Sequence, residues 1–487
     1  MKKFCAVFLA LCLAALGLCP VSLAFEGAIY EIFPGSFADG NGDGKGDLMG
    51  IAQKADYIAS LGVGAVWLTP FYPTVSYHGY DVMDYCDVRP SMGGMEAFDE
   101  MLKTLHEKNI AVIIDLVLNH SSHYHPWFTD ACTALALGKE SPYLDYYTFS
   151  REGGANMHAV PGASGWYYLG EFGHHMPDLN LDNAKLRLEI EGILRFWLEK
   201  GVDGFRLDAT THYYGGHVEN NTAFLAWLME TARAIREDVY IVGEAWTDDG
   251  TIARMYESGI SSLFHFSLAD SNGAILDAVR TQNGSKLARK IASPFEKGVN
   301  APFLTNHDMG RSAGMLMQNI EKMRVAAAAY LLSPGHPVIY YGEEIGMTGS
   351  GRDENKRLAM VWGEDAFACQ SPEEADQQQK LQAGVLQQES DEASLLNTYR
   401  AIVALRNAHP EIDAESPEAL DLGVKALYAI RYGQTHVLIN MGKKEISLEW
   451  QDAARLEQIG GVTLENSLLT MAPWSVAVLS NSSASQP

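Results

Sequence analysis

Gly204-Phe205-Arg206-Leu207-Asp208, Val242-Gly243-Glu244 and Asn306-His307-Asp308 each close a short apolar, strand-like run with one carboxylate. Endings of that kind belong to the carboxyl face of a parallel barrel, where loops after different strands bring their side chains together. Outward from these three, apolar or β-branched runs recur at residues 28–33, 65–68, 111–115, 204–207, 240–242, 263–266, 302–304 and 338–341. Amphipathic patterns at 51–61, 184–200 and 222–236 lie between them. Eightfold alternation of strand and helix predicts an α/β chain built as a (β/α)8 TIM barrel.

Two stretches break this rhythm. Residues 121–183 are rich in Gly, Tyr, His and Pro. They are too long and too aromatic for a plain connection, and read as a subdomain inserted after the third strand, over the barrel mouth. Beyond a helical pattern at 395–408, short alternating runs at 426–430, 436–439, 446–448 and 475–479 predict a C-terminal antiparallel β-sandwich. The expected division is 25–120 with 184–410 for the barrel, 121–183 for the insertion and 411–487 for the last domain. At the start, Lys2 and Lys3 precede an almost wholly apolar stretch reaching Leu18, and Ser22-Leu23-Ala24 offers small residues for cleavage. Residues 1–24 therefore read as a secretory signal peptide and the protein as exported. The apolar run is short for a membrane span. The one remaining membrane link is lipidation of Cys19, which the bulky Leu18 before it disfavours.

The chain has 487 residues, of which 47% are hydrophobic, so it can bury a large core and is not globally disordered. Its formal charge of −25 repels nucleic acid and anionic lipid. That balance suits a soluble exported protein with a neutral substrate, and a monomer is expected. After cleavage only Cys86, Cys132 and Cys369 remain, enough for at most one disulfide, so stability is expected from the core and from bound metal. Asp39, Asn41, Asp43 and Asp47 place oxygen-bearing side chains at alternate positions, and Lys45 offers a backbone carbonyl between them. Gly44 permits the sharp turn needed to wrap a hard cation such as Ca2+. The run resembles the first nine positions of an EF-hand loop, but Gly50 stands where the bidentate Glu of the twelfth position belongs, so a calcium loop outside the EF-hand class is expected. The alternative is a solvated acidic turn.

Residues two apart on a strand share a face. Arg206 and Asp208 then both point to the barrel axis, where the guanidinium is expected to hold Asp208 ionised. Glu244 ends an apolar strand with Trp246 just beyond, a setting that raises a carboxyl pKa and suits it to proton donation. Asp308 closes the seventh strand beside Asn306 and His307. One such acid alone reads more readily as a helix cap or a surface ion pair. Three at one face of one barrel read as the carboxylates that cleavage of a glycosidic bond needs. His78 and Tyr80 follow the second strand and His120 the third, at the same face, and Tyr80 can stack on the apolar side of a sugar ring.

Together these residues resemble the α-amylase family, glycoside hydrolase family 13, over nearly the whole mature chain. Residues 115–120 look like the family's first conserved region, 204–208 the second, 242–246 the third and 303–308 the fourth. Met176-Pro177-Asp178-Leu179-Asn180 looks like the extra region near the end of the inserted subdomain. Its form is similar to that of members intermediate between oligo-1,6-glucosidases and neopullulanases. The resemblance implies that Asp208 is the nucleophile, that Glu244 is the general acid and then base, and that Asp308 grips the sugar hydroxyls and distorts the ring. It places Arg206, His78, Tyr80, His120, His212, Asn306 and His307 around the sugar at the cleaved bond. Thr211 replaces a Lys often found in α-amylases. Arg357-Leu358-Ala359-Met360-Val361-Trp362 matches only loosely the Arg-Thr-Pro-Met-Gln-Trp run of many exo-acting α-glucosidases. The implied activity is retaining hydrolysis of internal α-1,4 bonds in starch or maltooligosaccharides through a covalent glycosyl-enzyme. α-Glucosidase, cyclomaltodextrinase or 4-α-glucanotransferase action would use the same residues. A non-catalytic carbohydrate-binding relative would lack the acids.

Overall fold

Eight short strands carry the barrel in the computed structural model, which describes residues 25–293, 298–379, 381, 383–451 and 455–480. They are β1 (Ile29–Ile32), β2 (Ala65–Leu68), β3 (Ala111–Leu116), β4 (Gly204–Leu207), β5 (Tyr240–Gly243), β6 (Ser262–Phe264), β7 (Val299–Ala301) and β8 (Val338–Tyr340). All but β7 are buried at every residue, as expected of parallel strands covered on both faces. Each strand pairs in parallel with its sequence neighbour, and β8 returns to pair with β1. The last seam, between β7 and β8, is a single bridge from Phe303 to Val338, so the barrel is nearly closed.

Alternation of side chains along these strands divides two cores. Ile29, Trp67, Ile113, Val242, Phe264 and Val338 fill the barrel interior. The opposite faces pack under the surrounding helices, with Tyr30, Val66, Ile114 and Ile241 among the residues buried there. Helix Ala184–Lys200 shows how a local sequence sets an element's limits. Asn183 caps it by accepting from the N–H groups of Lys185 and Leu186, and Gly201 ends it at φ 108°, a conformation without penalty only for glycine.

Some elements lie elsewhere than the sequence pattern predicts. The seventh strand was expected at 302–304 and lies at Val299–Ala301. Pro302 has no N–H to donate, and the apolar signal of Phe303 and Leu304 belongs to interior packing rather than to the ladder. The helix expected over 51–61 is broken at Lys54 into Leu48–Gln53 and Ala55–Ser60.

Between β3 and β4 stand a helix, Pro126–Leu137, and a small antiparallel sheet ordered Phe149–Ser150, Tyr167–Leu169, Met157–Ala159. Bridges His120 to Asp178 and Tyr147 to Leu179 tie this insertion to the barrel mouth. After the barrel come two antiparallel sheets of five and three strands. Four of those eight strands were read from sequence. Leu468–Met471 and Val462–Glu465 were missed because their hairpin turns on Asn466-Ser467, both at positive φ, rather than on a glycine-bearing pair. Cys86, Cys132 and Cys369 are free. Among the described residues no helix is long and apolar enough to cross a membrane. Residues 1–24, expected to be a signal peptide, lie outside the described residues, Cys19 among them.

Candidate active site

The carboxyl ends of the strands bring the three acids to one cleft of about 370 Å³, lined by Asp208, Glu244 and Asp308 together with His78, Tyr80, His120 and His212. Backbone hydrogen bonds continue the ladder just far enough to fix the acids. Asp208 N–H donates to Leu116 C=O at 3.3 Å and Glu244 N–H to Leu207 C=O at 2.9 Å. Asp308 N–H is held by Asn306 Oδ1 at 3.0 Å. Ala209 adopts φ 48°, costing about 1 kcal/mol for a residue with a Cβ, and in that pose its N–H reaches Glu244 Oε2 at 3.1 Å.

Arg206 organises the floor of the cleft. Its fully buried guanidinium contacts Asp115 at 2.9 Å, Asp208 at 2.7 Å and Glu244 at 2.9 Å. This corrects the expected arrangement. The cation does not single out Asp208 for ionisation, because it serves both cleft acids and a third carboxylate beneath them. Burial outweighs it, and with Asp115 and Asp308 nearby pushes the Asp208 carboxyl up to about 6. Burial likewise raises Glu244, against the pull of Arg206 and with the push of Asp208. Asp308 goes the other way. Its burial is overcome by His307, whose Nε2 lies 3.1 Å from Oδ2, and by Arg357, whose Nη2 lies 2.8 Å from Oδ1, so its carboxyl sits well below the usual range. His120 is 2% exposed, and burial pushes its imidazole down to about 4 against a backbone contact with Tyr80. A neutral ring has one donor and one acceptor, a pair that suits a hydroxyl-bearing ligand.

Three of the expected sugar-contacting residues do not line the cleft. Arg206 and His307 are buried behind the acids, and Asn306 spends its amide oxygen on the Asp308 N–H. The structure adds others. Phe172 from the insertion and Trp246 after β5 line the cleft and keep 39% and 52% of their surface exposed. The Trp246 ring is braced against Phe266 with centroids 4.9 Å apart. Asp353 and Arg357 form the opposite wall, joined as an ion pair that Tyr77 Oη completes at 2.6 Å from Arg357 Nη1 and 2.8 Å from Asp353 Oδ2.

The acidic loop lies apart from this cleft. Asp39 accepts from the N–H groups of Asn41, Gly42 and Gly44, Asn41 from Asp43 and Asp43 from Lys45. Asp47 caps helix Leu48–Gln53 through Gly50 N–H at 2.6 Å. Among the described residues no three His, Cys, Asp or Glu side chains are gathered as a metal cluster. A carboxylate oxygen that accepts one N–H keeps a second lone pair, so Asp39 through Oδ2, with Asn41, Asp43 and Asp47, still offers the oxygen chemistry that a hard cation takes.

A model described as the alpha-amylase catalytic domain matches residues 31–415, which includes all eight strands except the first two residues of β1. The chain belongs to the α-amylase family. Among relatives of this glycoside hydrolase is "Alpha-amylase 3" of Dictyoglomus thermophilum, 42% identical over 349 residues, covering 69% of this chain and 67% of that protein. "Glucan 1,6-alpha-glucosidase" of Streptococcus pneumoniae is 30% identical over 526 residues, 92% of this chain and 97% of that one. The solved structure of Eubacterium rectale Amy13B superposes with a TM-score of 0.89 at 33% identity, covering 95% of this chain and 96% of that one.

Proposed function

We propose that this glycoside hydrolase is an exported α-amylase that cleaves internal α-1,4 bonds of starch or maltooligosaccharides with retention. The observation that carries the reading is the convergence of Asp208, Glu244 and Asp308 on one cleft over a shared guanidinium. Asp208, ionised above about pH 6, attacks the anomeric carbon while Glu244 gives its proton to the departing glycosidic oxygen. The C–O bond breaks and a glycosyl ester of Asp208 remains. Glu244, now a carboxylate, takes a proton from water as that water displaces the ester oxygen, restoring both residues. Asp308, pinned as an anion by His307 and Arg357, accepts hydrogen bonds from hydroxyls of the reacting sugar, with His120 and Tyr80 beside it. Phe172 and Trp246 offer apolar faces to the units beyond the cleaved bond.

Endo action is supported by what lies past the Asp353–Arg357 wall. Tyr77, which braces that wall, also lines a second cleft of about 1040 Å³, room for further units of a long chain. The products of soluble starch test the reading. Early internal cuts, seen as rapid loss of iodine colour at low reducing-end yield, are expected. Glucose alone, released from chain ends, would move the assignment to an α-glucosidase, and lengthened maltooligosaccharides to a glucanotransferase.

The reading includes Ca2+ held by Asp39, Asn41, Asp43, Asp47 and the Lys45 carbonyl, where it would stiffen the connection after β1. Chelation is expected to lower the melting temperature by several degrees, because an ion bound only by the native state stabilises it by about 2.7 kcal/mol at a hundred times its Kd. A melting temperature unchanged in protein verified free of metal would remove calcium from the account. Export rests on residues 1–24 and is tested by finding mature chains that begin after Ala24 outside the cytoplasm.

A further inference from the structure

Glu31 occupies the centre of β1, where Ile29, Tyr30 and Ile32 are all buried, and its own side chain is fully enclosed. A carboxylate so placed costs several kcal/mol unless it is paired. Its partner is His307. Glu31 Oε1 lies 2.6 Å from Nδ1 of that ring and accepts the backbone N–H of the same residue at 3.3 Å. On the other side of the ring, Nε2 stands 2.6 Å from Tyr80 Oη and 3.1 Å from Asp308 Oδ2. The edge of Trp67 closes a third side at 5.7 Å between centroids. Asp115 and Arg206 reach His307 through Tyr80, whose hydroxyl donates to Asp115 at 3.0 Å and accepts from Arg206 at 3.3 Å. Arg357 holds the far oxygen of Asp308.

We propose that Glu31 is a positioning residue for catalysis: it keeps the His307 ring doubly protonated, so that the imidazolium, its Nε2 bonded to Tyr80 Oη and 3.1 Å from Asp308 Oδ2, holds that carboxylate ionised at the cleft. A neutral imidazole has one N–H and one lone pair. Tyr80 gives its one hydroxyl proton to Asp115, so Nε2 meets only acceptors, Tyr80 Oη and Asp308 Oδ2, while Nδ1 meets Glu31. A neutral ring would turn its lone pair on one side, and only the imidazolium satisfies both. The electrostatics agree: burial disfavours the cation, yet Asp308 and Glu31 together push His307 up to about 10. Glu31 thus acts on a substrate that it does not touch, through a ring that does not line the cleft.

The inference rests on the reading of this cleft as a glycoside-hydrolysing site, and its test separates the two. Glu31→Gln keeps an acceptor for Nδ1–H but removes the charge. Its kcat/KM on maltotriose, divided by that of wild type, is expected to be down roughly tenfold to a hundredfold near neutral pH. The deficit should shrink as pH falls from about 8 to about 5, as His307 regains its second proton. Taking the ratio cancels the titrations of Asp208 and Glu244. Glu31→Asp, which keeps the charge, should show a ratio that does not vary with pH. A flat ratio in Glu31→Gln, or one as steep in Glu31→Asp, overturns the proposal. Nitrogen-15 shifts of His307 in the wild-type protein give a readout independent of turnover and of any variant's folding. Two protonated nitrogens near neutral pH support the inference even if every glucan proves inert, in which case only the assigned activity fails. A neutral ring there sinks the inference whatever the enzyme hydrolyses.

Discussion

Asp208→Asn is expected to lower kcat on maltooligosaccharides by about 10⁴-fold or more while the protein stays folded. Removing a nucleophile that forms a covalent intermediate costs rate factors of this size, because the amide cannot make the glycosyl ester through which both half-reactions pass. Folding should survive. Arg206 keeps Asp115 and Glu244 as partners, so losing one carboxylate leaves no unpaired buried cation. The same residue governs the acid side of the pH profile. The attacking form is the anion, so with a carboxyl raised to about 6, kcat/KM should fall as pH drops through that value. Turnover near the wild-type rate in a pure, folded Asp208→Asn preparation would take Asp208 out of the chemistry.

Glu244→Gln should lose about 10² to 10⁴ in rate on natural glucans, the range of general acid catalysis. It should also behave differently from the first variant. With α-maltosyl fluoride, whose leaving group needs no proton, the first displacement proceeds and the glycosyl-enzyme accumulates, because the second step now lacks its base. A burst of fluoride equal to the enzyme concentration is the expected signature, and the ester on Asp208 should be visible by mass. Added azide, a nucleophile with no proton to lose, should restore turnover and give the α-azide, the product of two inversions. A β-azide would mean single displacement and would contradict retention. The alkaline fall of the pH profile should vanish in this variant, since the raised carboxyl of Glu244 is the group that must stay protonated.

Much of this was legible in the chain because the acids at strand ends carry local signals. Arg206 and Asp208 stand two apart on a strand, and that spacing alone brings them together at 2.7 Å. Phe205 and Leu207, the alternate residues, pack outward under the helices as the period requires. The rest of the site is held by contacts between distant segments, which leave no local pattern. Arg357 lies in a stretch with no periodicity, and its partners Tyr77, Asp308 and Asp353 meet only in space. Asp39 reads as a cation ligand by spacing, and turn hydrogen bonds engage both its oxygens as well, a sharing that spacing cannot reveal. Glu31 did have a signal. An acid inside an otherwise apolar run must have a buried partner, and asking for that partner would have pointed to a charged residue on another strand end.

The three carboxylates around Arg206 have a consequence for how the working range of this enzyme can change. Because one guanidinium contacts both Asp208 and Glu244, any substitution that weakens its hold releases the two acids in the same direction. The acid and alkaline limbs of the bell then travel together, and the optimum slides toward higher pH at nearly constant width. An adaptive change at this position retunes the enzyme from one habitat to another, but broadening its tolerance requires a residue that touches one acid and not the other.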